Sequence, residues 1–390
     1  MKEIVERYFG DSVAETGTKE FGSHQARPAK VLLVAPRVPP YGGMALQAEL
    51  LARLLCADGH RVLYFGSNFG FPRGLRSLEE VPGVRTLVRH LLIWPKLWVA
   101  AGGVDVAHVL AASWLYFFAV VAPAVIVGKI RRRRVILNYR GGDAERFLRR
   151  WGFAARRIIR MADAVTAPSQ FLAGLIHRYC GVPVTIVSNI LDQSLFSFRD
   201  RPFLRPRLVV ARQLEEIYDI ESVLRAFRVI RERHPDASLA VVGGGSQKER
   251  LRSVAAGWQL QGVTFWGAVA HDDLPRIYAD HDIFINASRV DNFPGALLEA
   301  SAAGLALVST AAGGIPFMYR HERDALLVTP GDWQALAGAV GTLLASPALA
   351  RKLIRNGLAL AQSCDWRSVR QGIYDSYGLS AADNRRTVEV

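Results

Sequence analysis

The stretch Arg289-Val-Asp-Asn-Phe-Pro-Gly-Ala-Leu-Leu-Glu-Ala-Ser-Ala-Ala-Gly-Leu-Ala-Leu-Val308 decides the fold. It sets two carboxylates, Asp291 and Glu299, on either side of a Phe-Pro-Gly turn and a short apolar segment. The spacing predicts a helix starting near Pro294, whose fixed φ suits a first turn. Backbone N–H groups there would face an anion, with Glu299 about one and a half turns in. Ile283-Phe-Ile285 before it and Ala306-Leu-Val308 after it read as strands. This is a βαβ unit with its polar residues at the carboxyl end of a strand, where open α/β sheets bind ligands.

The alternation extends in both directions. Val31-Leu-Leu-Val34 is a strand, Pro39-Pro-Tyr-Gly-Gly43 a turn, Ala45 to Cys56 an amphipathic helix stopped by Asp58-Gly59, and Arg61-Val-Leu-Tyr-Phe65 the next strand. Two glycines at a helix start let a phosphate approach the backbone, and as often they only mark a turn. Further strands fall near 104–110, 135–139, 163–166 and 184–187. Residues 199–207 hold two prolines and no periodicity, which reads as a linker. Beyond it come Leu208-Val-Val-Ala211, a helix from Ile220 to Arg233, Ser238-Leu-Ala-Val-Val242 running into Gly243-Gly-Gly245, and Val263-Thr-Phe265. Two α/β halves joined by a hinge account for this order.

At 390 residues and 50% hydrophobic composition the chain can bury two cores. A net charge of +14 and a pI near 10.1 call for an anionic partner: nucleic acid, lipid headgroups or phosphorylated substrates. No nucleic-acid module is visible. Cys56, Cys180 and Cys364 are isolated, which suggests neither a disulfide framework nor a zinc site and fits a reducing, cytoplasmic setting. Residues 1–29 read as a polar arm without a secretory signal, and 381–390 as a disordered tail. From Val109 to Gly128 run 20 uncharged residues, followed by Lys129-Ile-Arg-Arg-Arg-Arg134. That composition would suit a membrane span. Its place between two apolar strands favours a buried crossover helix, and a helix lying in the membrane interface stays open.

Read in order, the second half resembles the nucleotide-binding domain of family-4 retaining glycosyltransferases, glycosyl transferases group 1. The matching stretches are Val210-Ala-Arg-Gln-Leu214, Leu239-Ala-Val-Val-Gly-Gly-Gly245, Val263-Thr-Phe-Trp-Gly267, Leu274-Pro-Arg-Ile-Tyr-Ala-Asp-His-Asp282, Asp291 to Gly304, and Gly313-Gly-Ile-Pro316 with Ala325 to Asp332. The first half follows more loosely through Pro39 to Gly43, Gly59-His-Arg-Val62, Asp105-Val-Ala-His108 and Val187 to Asp192. The resemblance implies an α/β GT-B fold, two Rossmann-like parallel-sheet domains facing across a cleft. Residues 30–198 would bind the acceptor and 208–365 the sugar nucleotide, hinged at 199–207, with a helix over 366–380 crossing back to the first domain.

Carried over residue by residue, Glu299 would hold the nucleotide ribose, Asp291 would face the donor sugar, and Arg212 would bind the diphosphate. Gly42 and Gly43 would reach toward the phosphates, Gly244 belongs to the glycine turn of the donor site, and Asn292, Phe293, Pro294 and Gly295 would line the sugar. No metal or other cofactor is implied, so cations and helix N-termini must carry the phosphate charge. The chain departs from the family in three places. Asp291 stands where glutamate is usual, and the lysine expected after Arg212 is replaced by Ile217-Tyr-Asp219, with Tyr218 able to hydrogen-bond a phosphate. Arg140 in Asn138-Tyr-Arg-Gly-Gly-Asp143 takes the place of a histidine and could restore the missing positive charge. His108, on an apolar strand, reads as a catalyst or as a core histidine.

The function implied is a retaining glycosyltransferase that moves a sugar from a UDP- or GDP-sugar to a saccharide acceptor in cell-surface polysaccharide or glycolipid biosynthesis. Arg131 to Arg134 and the stretch Arg146 to Arg160 mix cations with Phe, Trp and Ile, as interfacial helices do. That fits a lipid-linked acceptor and a peripheral place on the inner face of the plasma membrane, against anionic lipid. Two rivals remain: another sugar-nucleotide reaction on the same fold, and a non-catalytic partner that binds glycan, lipid or another transferase.

Overall fold

The computed structural model describes residues 28–38, 42–71, 81 and 83–379. The chain divides into two compact units, Met1–Ile190 with Val369–Val390, and Leu191–Ser368. Each is built on one six-stranded parallel sheet, so the expected class, two Rossmann-like halves of GT-B type, is the one observed. The N-terminal arm up to residue 27, most of the Pro39–Gly43 turn and the tail from 380 lie outside the described residues.

In chain order the first unit runs β1 (Lys30–Ala35), α1 (Gly43–Ala57), β2 (Arg61–Gly66), α2 (Val84–Ala100), β3 (Val106–Ala111), α3 (Ala122–Ile130), β4 (Arg134–Tyr139), α4 (Ala144–Ile159), β5 (Ala164–Ala167), α5 (Gln170–Cys180) and β6 (Thr185–Ile186). The sheet order is β2-β1-β3-β4-β5-β6, with every neighbouring pair parallel. Helices cover both faces of such a sheet, which is why β3 is buried at all six positions and reads as an unbroken apolar run. The 20 uncharged residues from Val109 to Gly128 are not one helix. The first three finish β3, Phe117–Val121 form a π-helical turn, and α3 completes the crossover. Gly128 packs so closely on β4 that a Cβ there would stand 2.7 Å from Val135 Cγ2. Among the described residues no single helix is long and apolar enough to cross a membrane.

The second unit continues with β7 (Arg207–Ala211), α6 (Ile220–Arg233), β8 (Ser238–Val242), α7 (Lys248–Gly257), β9 (Val263–Gly267), α8 (Leu274–Asp280), β10 (Ile283–Asn286), α9 (Gly295–Ala302), β11 (Ala306–Thr310), α10 (Ile315–Met318), β12 (Leu326–Val328), α11 (Trp333–Ala345) and α12 (Pro347–Gln362). Its sheet order is β12-β11-β10-β7-β8-β9, again parallel. Side chains alternate between two cores, Leu208, Val210, Ile283, Ile285 and Val308 to one and Val209, Ala211, Phe284 and Leu307 to the other. After β9 the chain returns to the opposite side of β7. The crevice at the carboxyl ends of β7 and β10 is therefore the place where this topology accepts a ligand.

Residues 199–207, which the sequence presents as a linker, are packed on the second unit. Arg201 is 3% exposed and donates to the carbonyls of Tyr278, His281, Arg199 and Ala303. Arg201 and Arg205 both bind the buried carboxylate of Asp282. The chain leaves the first unit at Ile190–Leu191 and re-enters it at Ser368–Val369. The last helix, α13 (Trp366–Tyr377), buries Val369, Ile373 and Tyr377, and Ser376 accepts from Arg134 Nε through its carbonyl (2.8 Å).

Candidate active site

Arg212 follows the buried end of β7, and its backbone N–H still donates to Val242 O in ladder fashion (2.9 Å). The guanidinium turns across to the end of β10. Nε donates to Asn286 Oδ1 (3.1 Å), and Nη2 donates to Ser288 Oγ (3.3 Å) and to Asp291 Oδ2. Asn286 is itself held, donating to Ser309 Oγ at 2.9 Å while accepting from Ser288 Oγ at 2.8 Å. Arg212 and Asp291 are 9% and 12% exposed, so the cation is mostly desolvated and oriented by three fixed acceptors. The ring of Tyr218 lies 5.0 Å from the guanidinium carbon, so this residue faces the Arg212 cation directly.

The glycine run after β8 has a backbone reason. A Cβ on Gly243, whose φ is +143°, would collide with the carbonyl of Arg212, and one on Gly245 (φ +154°) would come within 2.5 Å of Leu214 O. Gly244, the glycine singled out from the sequence, accepts from Leu214 N at 2.8 Å. The run thus lets the segment carrying Arg212 cross the β8 loop. Glu215 closes the crossing by accepting from Ser246 N (2.9 Å) and Oγ (2.5 Å).

A second close crossing supports the acidic loop. Gly314 N donates to Asp291 O at 2.8 Å, and side chains at Gly313 or Gly314 would strike the backbone of Asp291 or Asn292. Phe293 packs on the adjacent core and Pro294 is buried. Pro294 is the N-cap of α9 and Gly295 its first residue, so the helix begins one residue later than the sequence suggests. Glu299 Oε1 lies 3.0 Å from His271 Nε2. The hydrogen bond to Glu299 raises the His271 pKa above its ordinary value against the opposing effect of burial. Tyr278, buried beside Glu299, has its phenol pushed well above the usual range by burial and then by that carboxylate. His271 is a site residue that the sequence does not announce. It opens a short 3-10 turn, His271–Asp273, far in the chain from the carboxylate it meets.

In the first unit Gly42 and Gly43 start α1, and among the described residues nothing lies within 4 Å of where a Cβ would stand on either. Arg140 follows β4, with its backbone N–H donating to Ala111 O (2.7 Å) and its Nη1 to Asn189 Oδ1 (2.5 Å). Burial lowers its pKa to about 10, which leaves it charged at neutral pH. His108 lies inside the sheet. It is 1% exposed within β3, Asn138 Nδ2 lies 3.3 Å from its Nε2, and Tyr377 OH lies 2.7 Å from its Nδ1. Burial, then Arg140, push its pKa down to about 3. With both ring nitrogens engaged inside the sheet, His108 fastens α13, which favours the core reading of this histidine.

Arg212, Asp291 and Tyr218 thus meet in one cluster, Glu299 pairs with His271, and Arg140, Gly42 and Gly43 stand at carboxyl-end loops of the other unit. Among the described residues no group of three or more His, Cys, Asp or Glu side chains is arranged to hold a metal ion.

Residues 41–195 match the profile of Glycosyltransferase Family 4, and residues 205–346 that of Glycosyl transferases group 1. The chain belongs to this family of GT-B glycosyltransferases. It uses a nucleotide-sugar donor and transfers to a saccharide acceptor. The GDP-mannose-dependent alpha-(1-6)-phosphatidylinositol monomannoside mannosyltransferase of Mycobacterium tuberculosis is 26% identical to it over 352 residues, spanning 81% of this chain and 89% of that protein. The D-inositol 3-phosphate glycosyltransferase of Salinispora tropica is 26% identical over 351 residues, 80% of this chain and 72% of that one. In fold, sucrose-phosphate synthase from Thermosynechococcus elongatus superposes with a TM-score of 0.73 at 20% identity, covering 90% of this chain and 98% of that chain. Anabaena HepE in complex with UDP-glucose does so with a TM-score of 0.69 at 18% identity, covering 89% and 99%.

Proposed function

We propose that this chain is a metal-independent retaining glycosyltransferase that moves a hexose from a UDP- or GDP-sugar to a lipid-linked saccharide in cell-surface polysaccharide or glycolipid biosynthesis. The observation that carries this reading is the Arg212 cluster at the crevice of the second sheet. A pyrophosphate entering there meets a guanidinium oriented from behind by Asn286 and Ser288. Glu299, steadied through Oε1 by His271, supplies a carboxylate for two neighbouring ribose hydroxyls. Asp291, ion-paired with Arg212, is the residue proposed to face the donor sugar.

In the reaction the bond from the anomeric carbon to the phosphate oxygen breaks, and the acceptor oxygen bonds to that carbon from the same face. The departing phosphate takes the acceptor's proton, and the negative charge that grows on it is stabilised by Arg212; Arg140, in place of the family's histidine, is a further cationic candidate for donor binding. The inositol-lipid acceptors in the names of the mycobacterial relatives support a lipid-linked acceptor. Arg212→Ala is expected to lower kcat/KM for the donor by roughly 100-fold or more, and Arg140→Ala by well over roughly tenfold. Steady-state kinetics against donor concentration checks both. Unchanged rates in the two variants would contradict these assignments.

A further inference from the structure

Helix α2 carries a second apolar stripe that the fold does not use. Ile93, Leu97 and Ala100 are buried against the rest of the unit, as one face of a surface helix should be. Val84, Leu87, Leu91, Trp94 and Trp98, at spacings of three and four residues, line up on another face and are exposed, Leu87 at 60% and Leu91 at 62%. The surface continues onto neighbouring elements. His90 Nδ1 lies 3.3 Å from Ala119 O, fixing α2 against the π-helical turn, and the Arg131 guanidinium covers Trp98 with its central carbon 4.8 Å from the ring. Phe118 of that turn meets Trp151 of α4 edge-on at 5.6 Å, and Arg157 lies 4.2 Å over Phe153, which is 74% exposed.

The charge around this face is predominantly positive. Helix α2 carries Arg85, Arg89 and Lys96 and no acid, Arg131 lies over its Trp98, and the loop that follows the helix holds one acid, Asp105. Asp105 Oδ2 is taken by Lys30 N at 2.8 Å. On α4 five further arginines, at 146, 149, 150, 156 and 157, flank Trp151 and Phe153.

We infer that α2, lying parallel to a bilayer, docks the first unit onto a leaflet rich in anionic phospholipid. Leu87 and Leu91 enter the acyl boundary, Trp94, Trp98 and Trp151 sit at headgroup depth, and the surrounding cations neutralise headgroup phosphates. Charge complementarity selects this occupant, because Arg85, Arg89 and Lys96 on an acid-free α2, Arg131 beside it and the five arginines of α4 against its one acid, Glu145, fit a continuous negative surface. The inference deepens the lipid-linked acceptor reading and rests on it for its biological sense. Vesicle binding is measured without donor or acceptor, so it can fail while glycosyl transfer stands, and the reverse.

The test uses the full chain and flotation with vesicles of phosphatidylglycerol and phosphatidylcholine, or of phosphatidylcholine alone, at low and high salt. Binding is expected to the anionic vesicles, weakened by salt. The triple variant Leu87→Ser, Leu91→Ser, Trp98→Ser should lose about tenfold or more in partitioning, with its thermal midpoint and donor turnover kept. Charge reversal by Arg149→Glu with Arg150→Glu should weaken binding at low salt only. Equal partitioning onto both vesicle types, or an unaltered triple variant, would overturn the proposal. So would sedimentation showing that the wild-type stripe joins two copies of the chain and that the triple variant is monomeric with vesicle binding intact.

Discussion

Asp291 and Glu299, so alike in sequence, meet different partners. Asp291 binds the guanidinium of Arg212, whereas Glu299 pairs with a histidine whose charge depends on pH. The sequence makes the two carboxylates and Arg212 legible because each follows a strand in a recognisable order. His271 is hidden because its role comes from α9 folding back beside it, 28 residues along the chain. His108 shows the opposite case, since its apolar strand leaves the catalyst and core readings open and does not show that α13 will cover it. The His271 pairing has a pH signature. Its folded pKa is raised above the unfolded value of about 6.5, so its stabilisation is complete below about 6.5 and is lost as pH rises through the higher folded value. The difference in thermal midpoint between wild type and His271→Ala should therefore be larger at acidic than at alkaline pH. A difference that is constant across that range would show that His271 contributes packing against Phe196 alone.

Among the elements, strands are the most legible. Buried parallel strands are short apolar runs bounded by polar turns, and Ser238–Val242 appears in the structure with the bounds read from sequence. Helix α2 escapes that reading because its two apolar stripes leave no clean amphipathic period, and no element is assigned from sequence between Phe65 and Val104. The 199–207 segment looks like a linker because its anchors are distant: Asp282 is 81 residues from Arg201 and 77 from Arg205. Burial lowers the Arg201 pKa to about 10, so this guanidinium stays charged in a nearly solvent-free setting. Removing its counter-charge should be costly. Asp282→Ala is expected to destabilise the protein by about 3–5 kcal/mol in urea unfolding, because a buried cation loses its partner. A loss below about 1 kcal/mol would show that the four carbonyls around Arg201 suffice to hold it.

At the scale of the whole molecule, both units repeat one plan, a parallel sheet with its glycine turns, arginines and carboxylates gathered at the strands' carboxyl ends. That repetition is what made the GT-B class readable, since no single motif carries it and the ordered set does. The high positive charge is legible as a need for an anionic partner, and its concentration along Arg146 to Arg160 is legible too, while the exposed apolar stripe of α2 beside it becomes visible only once the helices are placed. The central claim is that the second unit binds and activates a sugar nucleotide through Arg212 and Glu299. The most direct measurement incubates the purified protein with UDP-, GDP- and ADP-sugars and follows both binding by calorimetry and slow hydrolysis. The account predicts that at least one UDP- or GDP-sugar binds and is hydrolysed, and that Arg212→Ala and Glu299→Ala each abolish the hydrolysis. Binding of no sugar nucleotide, or hydrolysis that survives both substitutions, would contradict it.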